Sequence, residues 1–326
     1  MSIESKDYPF YDELRRAILS GAARTVVLTG NVPDLFRVDG NGGGYVPLND
    51  LLSRRMDVAT YVPVVYELGK PIRFASIRRS KDPDGKEWTD QERFTEAWVR
   101  YQTGRTTTEE ARDAAIQRVM DPRVAKMTHT ATASEFTKQL EEAAGKPAYA
   151  LELLRIMCEC SRATIGGKPI FVNGEGVPLQ LVIIIEGADL LIPEGQASSL
   201  SEGHIHRIAI CRDWFSDLGF LEGGDTVILI TESRSLLNER VAKLPQLGEV
   251  EIPFPDDAER LRFIRWFVDR QVAGRRPTFW STDEGCVSND EELAAFTAGL
   301  TIHALRQLLI GASHDAAAGR GPLKVR

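Results

Sequence analysis

The sequence predicts an α/β domain built on a parallel sheet flanked by helices, followed by a small helical domain. Three observations carry this. The stretch 179–191 holds five consecutive aliphatic residues, Leu181 to Ile185, four of them β-branched, the pattern of a strand buried on both faces. Two further runs, 25–29 and 226–231, read the same way and alternate with segments of helical spacing. After the short strand 249–252 only helical periodicity remains.

Taken in order, Phe10, Leu14, Ala17 and Ile18 fall at helical spacing, and Gly21 stops that helix. The strand 25–29 ends at Gly30-Asn31. The glycine-rich segment 39–44 reads as a loop, and Pro47 opens a helix over 48–56. A strand over 62–66 completes a βαβ unit, which implies a parallel sheet. Residues 81–145 are charged, with Trp88, Phe94, Trp98 and Tyr101 as sparse anchors, and read as a helical insertion. An apolar helix over 149–162 leads to the central strand. A helix over 206–218, the strand 226–231 and the strand 249–252 follow, and Asp256 or Asp257 N-caps a helix running to about 270. The expected division is an α/β domain over 1–255 and a helical domain over 256–326.

Composition narrows the function classes. A net charge of -7 and a pI near 5.5 weigh against a general phosphate-backbone binder, so nucleic acid is not the expected partner. The polar start is not a signal peptide and no apolar run reaches bilayer length, so no membrane is expected. Four cysteines without a CxxC pair fit a reducing compartment, and the expected location is cytoplasmic.

The order of parts resembles the AAA+ ATPases. VIIIEGADLL stands where that family has its Walker B strand, and VILITESRSLLNERV where it has the sensor 1 strand. VEIPFPDDAERLRFI is similar to the strand and PLPD step into the lid, and LAAFTAGLTIHALRQLL to the lid helices carrying sensor 2. The four matches run in the right order from Leu181 to Leu309; the first 180 residues match in arrangement only. The resemblance implies a P-loop-NTPase-like sheet with a helical lid, ATP and magnesium as possible cofactors, and assembly into an oligomer.

Every catalytic position that the resemblance assigns is altered. Hydrolysis in such folds needs a G-x-x-x-x-G-K-[ST] loop cradling phosphates, an acid holding magnesium and a group orienting water. The sequence has no such loop. Its place reads TGNVPDLFRVDGNGGGYVP, without lysine and with Asp34 and Asp39, which would repel phosphate. Lys70, Lys146 and Lys168 sit in G-K-P contexts, where proline replaces the hydroxyl residue and has no N–H. Glu186 falls at the Walker B Asp position and Gly187 at the catalytic Glu position, with Asp189 three residues beyond Glu186. Ser233, or Glu232 on a one-residue slip, stands at the sensor 1 position. The segment 242–249, where arginine fingers would lie, has no arginine. Arg306 is a possible sensor 2 remnant, or a solvated helix arginine. Losing both the lysine and the water-orienting group removes several orders of magnitude in rate.

Other constellations are weaker. His204, His206 and Cys211 fit no usual zinc spacing, and no metal site is expected. Cys158 and Cys160 fall on different faces of a predicted helix, so neither a disulfide nor a redox pair is expected. Arg73, Arg78, Arg79 and Lys81 form the most basic patch, either a solvated face or a contact for an acidic partner.

The leading expectation is therefore a degenerate AAA+ module acting as a scaffold or regulatory subunit. Its partners would be copies of itself or an active AAA+ module, in a second polypeptide or further along a longer chain. The competing expectation is an ATPase or nucleotide switch using Gly30, Asn31 and the loop to Tyr45, with Glu186 at magnesium and Arg306 at the nucleotide.

Overall fold

The computed structural model describes residues 8–38, 44–56, 60–76, 78–81, 85–109, 132–196, 198–272, 280–283 and 285–323. Asp39 with the glycine run to 43, part of the predicted helical insertion (110–131) and residues 273–279 lie outside the described residues.

A six-stranded sheet forms the α/β part. Its strands are β1 (Thr25–Gly30), β4 (Tyr61–Glu67), β5 (Arg73–Phe74), β10 (Gln180–Glu186), β11 (Thr226–Ile230) and β12 (Leu247–Ile252), in the order β12-β1-β11-β10-β4-β5. The ladders β1·β11, β10·β11 and β4·β10 are parallel, and β5 runs antiparallel on β4. Five consecutive residues of β10 and all five of β11 are buried, as their unbroken aliphatic runs require.

Helices α1 (Pro9–Leu19), α2 (Leu48–Met56), α3 (Asp90–Glu109), α4 (Ala133–Glu142), α5 (Pro147–Ser161) and α7 (Glu202–Ser216) accompany the sheet. Val64, Ile183, Ile185 and Leu229 share one core with Phe94 and Trp98 of α3, Leu153 and Met157 of α5, and Trp214 of α7. The predicted anchors Phe94 and Trp98 are fully buried there.

Two short hairpins were not legible in advance. Residues 79–89 form an antiparallel pair, β6 (Arg79–Lys81) with β7 (Glu87–Thr89), inside the region predicted as helical. Strands of three residues are too short to show a period. Gly166 and Gly167 form a two-residue turn between β8 (Thr164–Ile165) and β9 (Lys168–Pro169). Both glycines have positive φ, 58° and 76°, which the mirror-image hairpin turn demands.

The basic patch is largely spent on internal pairs. Arg78 donates through Nε and Nη2 to Asp90 and through Nη2 to the Tyr61 carbonyl, while Arg73 pairs with Asp50 and Lys81 with Glu87.

The chain resolves into two compact units: Met1–Val32 with Asn49–Glu251, and Pro33–Leu48 with Ile252–Arg326. The helical unit thus includes a segment from the front of the chain, which the division at 255 did not separate. That segment pairs β2 (Leu35–Val38) with β3 (Gly44–Pro47), on either side of residues 39–43. It accompanies α10 (Asp257–Val272), α11 (Asp290–Phe296) and α12 (Ile302–Ala317). Leu35 and Tyr45 pack on the core of Phe263, Ile264, Leu293, Leu305 and Leu309.

Asp256 is the cap of α10. Its carboxylate accepts from Glu259 N at 2.7 Å, and Glu259 accepts in return from Asp256 N at 3.2 Å, a reciprocal capping box. Arg260, 3% exposed, donates to the carbonyls of Pro255 and Ala294 and pairs with Asp257, joining the PxPD step to α11.

At the amino ends of β10 and β11, Asp225 is completely enclosed. It accepts from Leu181 N at 2.8 Å and Ser161 Oγ at 2.5 Å. Burial pushes its carboxyl up to about 6, against the pull of those two bonds and of Arg162 and Arg24. Because the folded value is raised, the stability tied to this proton is fully present below the unfolded value, near pH 4. It is lost as pH rises through about 6. Asp225→Asn cannot lose it. In urea melts the variant should gain about 3 kcal/mol on wild type between about pH 4 and about pH 7.5; a constant difference across that range would contradict the assignment.

Candidate functional site at the carboxyl ends of the strands

The register of the ladders sets the site. Glu67, Glu186 and Ile230 lie side by side at the ends of β4, β10 and β11, where ligands bind in open parallel sheets. Glu186 Oε2 accepts from Asn49 Nδ2 at 2.8 Å. Its neighbour Glu67 accepts from Lys70 Nζ at 2.7 Å. Burial, then the Glu67 charge, pushes the Glu186 carboxyl above its ordinary value; the Asn49 bond and Lys70 only partly oppose this.

Asn49 is the residue that sequence reasoning passed over. It stands in the first turn of α2, the helix after β1. In P-loop proteins that turn carries the Ser/Thr hydroxyl sharing magnesium with the strand acid. Its signal was positional: a hydrogen-bonding residue at a helix start across from a strand-ending acid.

Gly187 has φ 64° and opens the one-turn helix α6 (Ala188–Leu191). In that left-handed backbone a side chain is strained, which favours glycine at position 187. Asp189 lies in the first turn of α6, half-buried, and the turn has no side-chain cap from Gly187. Glu186 bonds a side-chain amide rather than the backbone amides expected of a simple loop cap.

On the neighbouring strands, Gly30 N donates to the Glu232 carbonyl at 3.0 Å, which brings the ends of β1 and β11 together. Asn31 is 4% exposed. Thr29 Oγ1 donates to Glu249 at 3.3 Å, and Arg234 pairs with the same carboxylate at 3.2 Å while donating to the Ala242 carbonyl. Ser233 caps the 3-10 turn Arg234–Leu236, its hydroxyl 2.8 Å from that of Ser235. Gly30, Asn31, Glu186 and Ser233 thus belong to the α/β unit; Arg306 is an exposed residue of α12 in the helical unit.

Asp34 has another use than repelling phosphate. It accepts from the backbone amides of Leu35, Ile302 and His303 within the helical unit. The imagined metal trio does not converge either. Cys211 is buried, His206 is exposed and His204 Nδ1 lies 2.8 Å from Ser201 Oγ, with no metal-holding group of three among the described residues. Cys158 and Cys160 are free thiols, both buried.

Magnesium nucleotide does not fit this donor set. An amide N–H₂ points at Glu186 where a hydroxyl oxygen would be needed, and burial with the Glu67 charge pushes the carboxyl above its ordinary value. Residues 30–49 contain no lysine. The β2–β3 ladder uses backbone N–H groups that a phosphate loop would keep for its ligand.

The sequence model of one family, described as AAA+ chaperone, N-terminal Rossmann-like domain, matches residues 6–253, about three quarters of the chain. The chain belongs to the AAA+ chaperone family. No curated protein sequence matches it. Among solved structures, this AAA+ chain is similar to a chain in the HORMA:CdnC:Trip13 complex of E. coli MS115-1. The two are 11% identical, with a TM-score of 0.45 over 99% of this chain and 81% of that one. No helix among the described residues is long and apolar enough to cross a membrane.

Replacing Glu186 tests the electrostatics. Its raised carboxyl value means that the linked stability is present below the unfolded range and lost as pH rises. Glu186→Gln mimics the protonated form and keeps an acceptor for Asn49. Its thermal midpoint should equal or exceed that of wild type near pH 7.5, with the gap closing toward pH 4. A variant clearly less stable at the higher pH would show that Glu186 works as an anion.

Proposed function

We propose that this AAA+ chaperone-family module does not hydrolyse ATP and serves as a scaffold or regulatory subunit in an oligomeric AAA+ assembly. The observation carrying this reading is the Asn49 amide bonded to Glu186. In hydrolysing relatives of the fold that pair is an oxygen-bearing Ser/Thr and an acid with magnesium between them. Here the amide donor already balances the carboxylate, and a cation would have to displace it.

Three further features support the reading. Gly187 cannot orient a water, Ser233 is engaged with Ser235, and Arg234 is engaged with Glu249 and Ala242. Together they engage within the chain the groups that would orient water or steady charge on a transferring phosphoryl. A module of this kind contributes surfaces rather than turnover. Its partners in this reading are further copies of the chain or an AAA+ module with intact motifs, and its client is a protein.

Calorimetry with magnesium-ATP, run beside a phosphate-release assay, tests the proposal. The expected outcome is no saturable heat at micromolar affinity and no turnover above buffer. Saturable micromolar binding together with phosphate release abolished in Glu186→Gln would establish an ATPase and end the scaffold reading.

A further inference from the structure

Between α5 and α7 the α/β unit forms a cleft of about 440 Å³, a volume usual for ligand pockets. It shares no residue with the strand-end site. One wall carries Glu152, Arg155 and Glu159 of α5 and, just past the helix end, Arg162. Their spacing of three or four residues stands them in one row. The facing wall includes Ile210, Asp213 and Trp214 of α7, and Asp217 after it.

Arg155 is engaged inside its own row, donating through Nε to Glu152 at 2.8 Å and through Nη1 to Glu159 at 2.7 Å. Two other donors are not engaged. Trp214 is 1% exposed, and its enclosed indole N–H meets no acceptor among the described residues. Arg162 Nη1 is enclosed in the same way and makes no hydrogen bond. Asp225 Oδ2 lies 3.8 Å from it, and Asp217 Oδ1 lies 3.8 Å from Nη2, too far for either to accept. Buried donors are costly to leave unpaired, so a cleft lined by two of them calls for an acceptor.

A simple anion is the wrong acceptor. Four carboxylates line the cleft, Glu152, Glu159, Asp213 and Asp217, against two guanidinium groups, with His206 as the further ionisable group. Asp213 is exposed and makes no ion pair among the described residues. Asp217 accepts from Phe220 N through Oδ1 and is 55% exposed, which leaves its other oxygen available. The chemistry that answers both signs is a neutral acceptor carried on the same molecule as a cation. A peptide with a basic side chain has both.

We propose that the α5–α7 cleft binds a basic peptide segment of a partner protein. A main-chain carbonyl of that segment accepts from Trp214 Nε1 and Arg162, and its ammonium group pairs with Asp213 and Asp217. Ile210 and the Trp214 ring offer apolar surface to the stem of the basic side chain. The proposal goes beyond the scaffold reading and stands whether or not the module hydrolyses ATP.

The indole N–H signal of Trp214 in the full chain, assigned by its loss in Trp214→Phe, tests it. The probe is acetyl-Gly-Lys-Gly-amide at millimolar concentration, beside acetyl-Gly-Glu-Gly-amide and free L-lysine. Of the five tryptophan signals, that of Trp214 should move saturably with the lysine peptide and far less with the other two. Asp213→Asn, a change at an exposed residue, should weaken binding about two- to five-fold. Trp214→Phe, followed at the Asp213 amide, should weaken it about five-fold. No saturable shift with the lysine peptide would overturn the proposal and leave the cleft to water. Equal binding of the glutamate peptide would overturn it too, as would free lysine binding as tightly as the peptide, or unchanged affinity in Asp213→Asn. Should Trp214→Phe fail to fold, sequential assignment of the indole signal and the Asp213→Asn series carry the same comparison.

Discussion

The register of the three parallel ladders is the constraint on which the rest of the α/β unit depends. β10 and β11 are buried along five residues each, so a slip by one position would turn apolar side chains into places cut for others. With that register fixed, Glu67 and Glu186 must end their strands side by side. Two neighbouring carboxylates in a half-buried place need something to relieve them. A cation would do so in a hydrolysing member of the fold. Here Lys70 answers Glu67, the Asn49 amide answers Glu186, and burial raises the Glu186 carboxyl above its ordinary value. The site is balanced from within the chain.

The same accounting explains the segment after β1. A phosphate loop leaves several backbone N–H groups unpaired for its ligand, a cost recovered only when the ligand is bound. Residues 35–38 and 44–47 pair with one another instead, and Asp34 turns to the amides of α12. Leu35 and Tyr45 then bury apolar surface in the helical core. Each of these arrangements satisfies polar groups without an added ligand.

Much of the fold was legible in the sequence, because long buried strands and amphipathic helices announce themselves by pattern. The strands at 25–30, 61–67, 180–186 and 226–230 and the helix at 257–272 appear within a residue or two of their expected bounds. What escaped was short or non-local. Leu35 to Val38 and Tyr45 to Pro47 are runs too brief to show a strand period, and the hairpin's membership of the helical unit could not be seen. Nothing in the helical pattern of 257–272 marks Arg260 as the buried residue that joins Pro255 to Ala294. The candidate site was half legible. Glu186 reads from the sequence as a strand-ending acid, and it ends β10. Asn49 was not legible, because its partner lies 137 residues away and only the folded register brings the two together.

Amide chemical shifts of the full chain, recorded while magnesium-ATP is added, test the central claim most directly. The claim is that the strand ends are closed by intrachain bonds. The result it requires is that the signals of Gly30, Asn31, Asn49 and Gly187 stay in place. Saturable shifts confined to those residues would contradict it, for they would mean that nucleotide displaces the Asn49–Glu186 bond and occupies the site.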